Sequence, residues 1–169
     1  MFHAVVYIAT VILVNYAFDV VPLQVLPGGE LWSPVSLVVG FTFVIRDFAQ
    51  REIGHWVLPA MLLGGVASWY MATPAIAVAS VTAFLMGEFF DWAVFTITKK
   101  PFSQRILLSS VVGTPIDSAV FLAMVGIVSI PGIIVMTLSK MVGAFIVYLL
   151  VRRKERVDAM KAEQVCVSR

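Results

Sequence analysis

Charge is what this chain has least of. Only 13% of its 169 residues are Asp, Glu, Lys or Arg, where a soluble domain carries about 25% to cover its surface. That shortage excludes an ordinary water-soluble fold. With 60% hydrophobic residues and a mean hydropathy of +0.97, an integral membrane protein is the class that fits. Cysteine is almost missing too: Cys166 stands alone, so there is no internal disulfide and no cysteine metal cluster. Two distant histidines, His3 and His55, read as interfacial residues, and neither a metal nor a cofactor is expected. No phosphate-binding glycine loop occurs, so the chain has no means of its own for the usual ATP hydrolysis. No basic stretch precedes the first apolar run at Phe2, which therefore reads as a retained helix. The net charge of +2 says little by itself, and no nucleic-acid partner is expected.

What is present is a series of long apolar runs. A membrane helix needs about 20 mostly apolar residues at roughly 1.5 Å rise each. Phe2 to about Phe18 meets that requirement, and "PLQVLPGGELWSP" (22–34) is a loop rich in Pro and Gly. A second run covers Val35 to Ile53. Residues 53–87 hold no Asp, Glu, Lys or Arg. One helix of that length would reach about 52 Å, well past a hydrocarbon core of roughly 30 Å. The segment must turn, and "MATPA" is the place, since Pro74 disfavours helix at Thr73. Helices are then expected near 56–72 and 75–97, followed by a loop at "TKKPFSQR" (98–105). A fifth covers about 106–128, "SIPG" (129–132) interrupts, and a sixth covers about 132–151. The expectation is an all-α integral membrane protein, a bundle of six transmembrane helices over 1–151 with a short basic cytoplasmic tail, 152–169.

Basic residues orient the bundle. Arg51, Lys99, Lys100, Arg105 and the tail residues Arg152, Arg153, Lys154, Arg156, Lys161 and Arg169 all fall in the second-to-third connection, the fourth-to-fifth connection or the C-terminus. The other connections hold none. Positive charge marks the cytoplasmic side, so both termini are expected inside a bacterial inner membrane. Arg152–Lys154 also offers a contact for anionic lipid.

Several ionisable groups nevertheless fall within the apolar runs or at their ends: Arg46, Asp47, Glu88, Asp91, Asp117 and Lys140. Each costs roughly 2.5–3.5 kcal/mol at the centre of a membrane helix. Several left unpaired would together cost on the order of 10 kcal/mol, comparable with the stability of a whole domain. They must face one another, a wet cavity or a ligand. Glu88 and Asp91, three apart, share a helix face, and so do Ser110, Gly113 and Asp117. Phe43, Arg46 and Gln50 form another such face, with Asp47 beside them. Lys140 lies too deep to reach water easily, so a carboxylate partner is expected. Structural ion pairing is a full alternative for Arg46 and Lys140. Asp91 and Asp117 read as ligand or proton contacts, because carboxylates outnumber the available cations.

Small residues recur every fourth position at Ala60, Gly64, Ser68 and Ala72, and again at Ala75, Ala79, Ala83 and Gly87. Such stripes let helix backbones approach closely in lipid, so they read as packing rather than as a site. Phe43, Phe89, Phe90, Trp92, Phe95 and Phe121 read as core or lipid-facing, with one or two placed to stack on a planar ligand.

These polar positions resemble a known pattern. "RDFAQREIG" places Asp47, Arg51 and Gly54 as in the second helix of the VUT (vitamin uptake transporter) family, the queuosine-precursor transporters. "MGEFFDWAVF" is similar to that family's fourth-helix segment at Asp91 and Phe95. "SSVVGTPIDSAVF" is similar to its fifth at Gly113, Asp117 and Phe121, and Lys140 in "TLSKMVG" corresponds to the lysine of the last helix. Glu88 stands where many relatives have glutamine. The resemblance, over about 33–150, implies a bundle like the substrate-binding subunits of energy-coupling-factor vitamin transporters. It also implies uptake of a deazapurine such as 7-cyano-7-deazaguanine. A guanine-like edge offers adjacent N–H donors to a carboxylate and a carbonyl to a donor. Asp91 or Asp117, helped by Glu88, would take the donors, and Lys140 or Gln50 the carbonyl. Asp47 and Arg51, four apart, would pair at the cytoplasmic mouth beside Arg46, as a gate or as a fixed helix end.

Other functions are weighed against this one. A substrate-binding subunit that borrows an ATPase module would want an alanine every fourth residue in the first helix, and Ala4, Ala9 and Ala17 do not make that stripe. An intramembrane aspartyl hydrolase would need a glycine-rich motif around its aspartate, and Asp91 sits in "GEFFD". Three membrane carboxylates are compatible with proton coupling, whereas downhill uptake trapped by metabolism would need none.

Overall fold

The computed structural model describes residues 2–71 and 74–167. They form the α-helices α1 (Phe2–Val20), α2 (Ser36–Ile53), α3 (Val57–Met71), α4 (Pro74–Ile97), α5 (Phe102–Val125) and α6 (Ile130–Val167). The expected turn at Ala72–Thr73 lies outside the described residues. Proline opens α4, at a position where its missing N–H has no helical partner to lose. Glycines close two helices in backbone conformations that side chains rarely adopt: Gly54 after α2 at φ 61° and Gly126 after α5 at φ 79°.

Four helical stretches are long and apolar enough to cross a membrane: Phe2–Val20, Ala77–Ile97, Phe102–Val125 and Ile130–Ala162. The other two helices fall short of that standard for different reasons. Within its 18 residues α2 carries Arg46, Asp47, Arg51 and Glu52, and α3 has 15 residues, a length of about 22 Å.

Four segments differ from the sequence expectation, one being the break expected at 129–132, which falls at 126–129 because Gly126 closes α5 and α6 begins at Ile130. The loop at 22–34 contains a short antiparallel pair, β1 (Gln24–Val25) with β2 (Leu31–Trp32). Helix α5 starts at Phe102 rather than 106, because Pro101 ends the linker and Glu155 receives the Ser103 N–H at 3.2 Å and its hydroxyl at 2.6 Å. Helix α6 runs on without a break at residue 151.

The helices close a ring in which α4 packs on α5, α5 on α6, α6 on α2, α2 on α1, α1 on α3 and α3 on α4. Its outer surface exposes Leu13, Leu63, Val66, Trp69, Leu138 and Phe145. The inside holds Arg46, Asp47, Glu88, Asp91, Asp117 and Lys140, all buried. Charge within and large apolar side chains without invert the usual soluble arrangement.

The two ends of the ring are tied differently. At one, the backbone N–H groups of Phe2 and His3 each donate to Glu52 at 2.9 Å, and Arg105 Nη2 donates to the Phe95 carbonyl at 2.7 Å. At the other, Ser129 Oγ donates to Glu30, and Trp32 Nε1 donates to Ser139 Oγ at 2.8 Å.

Candidate functional site

Helices α4 and α5 cross glycine on glycine, at Gly87 and Gly113, and α2 and α6 likewise meet at Gly40 and Gly143. These crossings bring Asp91, Asp117 and Lys140 inside the ring instead of leaving them at its rim. The buried charges then sort into two groups.

The first group surrounds Arg46. Its Nε donates to Glu88 Oε2 at 2.9 Å and its Nη1 to Gln50 Oε1 at 2.6 Å. Nη1 also lies 3.1 Å from Asp47 Oδ1, and Nη2 pairs with Asp91. A planar guanidinium with five N–H donors is the one side chain able to serve so many acceptors at once. Gln50 Nε2 passes the network on to Thr96 Oγ1 at 2.9 Å, and Ser109 Oγ donates to Asp47 Oδ2 at 3.3 Å. The Phe95 ring lies 5.8 Å from the guanidinium carbon. Glu88 Oε1, Asp91 Oδ1 and the hydroxyl of the fully buried Tyr7 have no hydrogen-bond partner among the described residues.

The second group is a pair. Lys140 Nζ donates to Asp117 and, at 2.9 Å, to Ser118 Oγ. Asp117 and Lys140 line a small cavity of about 20 Å³ with Val14, Asn15, Val39, Ser80 and Phe121. That space holds about one water. An organic solute would need the cavity to widen. Its polar lining includes Ser80, whose buried hydroxyl has no partner among the described residues, and its apolar wall includes Phe18 and Phe121, with ring centres 5.3 Å apart. Aromatic rings in a cavity wall are suited to contact with a planar guest.

The sequence-derived residues therefore divide. Asp117 and Lys140 meet at the cavity, whereas Asp91, Glu88 and Gln50 are held by Arg46. The expected Asp47–Arg51 pair does not form. Asp47 pairs with Arg46, and the Arg51 guanidinium instead lies 4.7 Å from the centre of the exposed-end ring of Phe102. Burial decides this: Asp47 points into the ring, while Arg51 stays exposed one turn further on. Six polar contributors were missed in the sequence: Tyr7, Asn15, Ser80, Thr96, Ser109 and Ser118. Asn15 carried a signal, as an amide within an otherwise apolar run, whereas the hydroxyls carried none.

A family model described as "Putative vitamin uptake transporter" matches residues 4–152. Among curated proteins and among solved structures, nothing matches the chain. Family and apolar helices together make it a helical, multi-pass membrane protein that takes up a small molecule.

Proposed function

The chain belongs to the vitamin uptake transporter family, and we propose that it imports a queuosine precursor, 7-cyano-7-deazaguanine or a related deazapurine, across a bacterial inner membrane. In this reading all six helices span and both termini are cytoplasmic. The observation that carries the substrate class is the Asp117–Lys140 pair set in the cavity wall beside Phe121. A guanine-like edge presents a carbonyl next to two N–H donors, the complement of an ammonium next to a carboxylate. The base enters by separating the pair: Asp117 accepts from its donors, Lys140 donates to its carbonyl, and Phe121 or Phe18 covers the ring. Neither charge is left bare at any stage, which avoids the several kcal/mol that an unpaired buried ion costs.

A bacterial strain unable to make queuosine precursors tests this reading. It is supplied with this chain and low external 7-cyano-7-deazaguanine, and queuosine is measured in its tRNA. Restoration that disappears with Asp117→Ala, in protein still present in the membrane, supports the reading. Uptake at the wild-type level by Asp117→Ala sinks the assignment of the cavity, and no restoration by well-inserted wild-type protein sinks the substrate.

A further inference from the structure

The charge count inside the ring does not balance. Lys140 and Asp117 neutralise each other, which leaves Arg46 as the one cation paired with Asp47, Glu88 and Asp91 among the described residues. With all three ionised, the cluster would carry more negative charge out of water than Arg46 can compensate. Buried carboxylates in that position take up a proton or a cation. Among the described residues no group of three or more His, Cys, Asp or Glu is arranged to hold a metal ion, and the guanidinium of Arg46 already contacts all three carboxylates.

The groups around Glu88 come from every side of the ring. Helix α1 contributes the Tyr7 hydroxyl, α2 contributes Arg46 and Asp47, and α4 contributes Asp91. From α5 the charge of Asp117 acts on Glu88, with Lys140 of α6 behind it, and Arg105 acts on Asp47 from the end of α5. Beyond, His55 packs edge-on against Trp92, and α3 carries no Asp, Glu, Lys, Arg or His. Glu88 uses Oε2 for Arg46, while among the described residues Oε1 is without a partner, as is the hydroxyl of Tyr7 set against the same side chain. A phenol donates to a carboxylate and accepts from a carboxylic acid, so Tyr7 suits Glu88 in both protonation states.

Resting on the uptake reading above, we propose that Glu88 is a proton-binding site, with the proton held on Oε1 against Tyr7, and that this proton travels inward with the solute. The coupling follows from position. While Lys140 covers Asp117, the field of that carboxylate at Glu88 is largely cancelled. A neutral base that parts Lys140 from Asp117 removes the cancellation, and the added negative field favours a proton on Glu88. By reciprocity the proton favours the base. Release of either one inside then loosens the other.

Two measurements test this. Infrared spectra of the purified protein at neutral pH show a protonated carboxylic acid band that Glu88→Gln removes and Tyr7→Phe shifts. In proteoliposomes an inward proton gradient drives accumulation of 7-cyano-7-deazaguanine by up to about tenfold per pH unit, the limit for one proton per neutral solute. In Glu88→Gln the accumulation ratio falls to about one. Absence of the acid band, or its persistence in Glu88→Gln, overturns the proton site whatever the uptake result. Uptake indifferent to the proton gradient, or driven by sodium instead, overturns the coupling and leaves the uptake reading standing. No uptake with the band in place overturns the substrate and the coupling, and supports the proton site.

Discussion

Gly87 and Gly113 face each other across the α4–α5 crossing, and each carries the other helix's aspartate on it. A Cβ built at Gly113 would lie 2.7 Å from the Asp91 Cβ, and one at Gly87 would lie 2.5 Å from the Asp117 Cβ. The Phe43 ring approaches both positions at 3.2 Å. The Arg46 cluster and the cavity are thus joined by a contact with no slack. A shift of α5 that widens the cavity at Asp117 must also move Asp91 against Arg46.

Gly113→Ala and Gly87→Ala should each destabilise the protein by about 1–3 kcal/mol, the usual cost of overpacking, because backbone as well as side chain obstructs the added methyl. Gly28→Ala, which meets nothing within 4 Å, should leave stability unchanged. Thermal unfolding in detergent compares the three. Wild-type stability in both crossing variants would show that α4 and α5 separate freely.

Lys140→Met leaves Asp117 buried without its cation, and Asp117→Asn strands Lys140 in the same way. Each should cost roughly 3–5 kcal/mol. The double variant removes both charges and should regain most of that stability while remaining without uptake. Unfolding and uptake assays on the same three proteins check this. Additive losses of stability would mean that the two side chains do not depend on one another.

The sequence carried the class and most of the frame, because a membrane imposes its demands on composition and run length. The loop at 22–34 and the burial of all six charged residues follow from that constraint. Partner choice did not follow. Helix periodicity favours Asp47 with Arg51, four residues on, over its neighbour Arg46. The long arginine stem defeats that rule by turning into the ring, where Glu88 and Asp91 of α4 hold its other nitrogens. Likewise Asp91 and Asp117 look equivalent along the chain. Only the glycine crossing, which sets Asp91 toward Arg46 and Asp117 toward the cavity, tells them apart.

Orientation can be read with single cysteines in a Cys166→Ser background. Gly28→Cys should react with a membrane-impermeant thiol reagent in intact cells. His55→Cys, at the exposed α2–α3 connection, should react only after permeabilisation. Labelling of both from outside would mean that α2 does not cross the membrane. Resistance of His55→Cys under all conditions would place that connection within the bilayer.

Arg46 should be the least replaceable residue in the protein. Arg46→Met strips the paired cation from Asp47, Glu88 and Asp91 and should cost on the order of 3–5 kcal/mol or more, enough to prevent recovery of monodisperse protein. Arg46→Lys should rescue only partly, since an ammonium is a point charge and cannot reach Glu88, Asp91 and Gln50 together as the planar fork does. Adding Glu88→Gln and Asp91→Asn to Arg46→Met removes two of the stranded carboxylates at constant shape and should restore folding. Size-exclusion chromatography followed by thermal unfolding ranks the four proteins. An Arg46→Met protein as stable as wild type would mean that the carboxylates are neutral without the guanidinium, and that the cluster is not held together by charge.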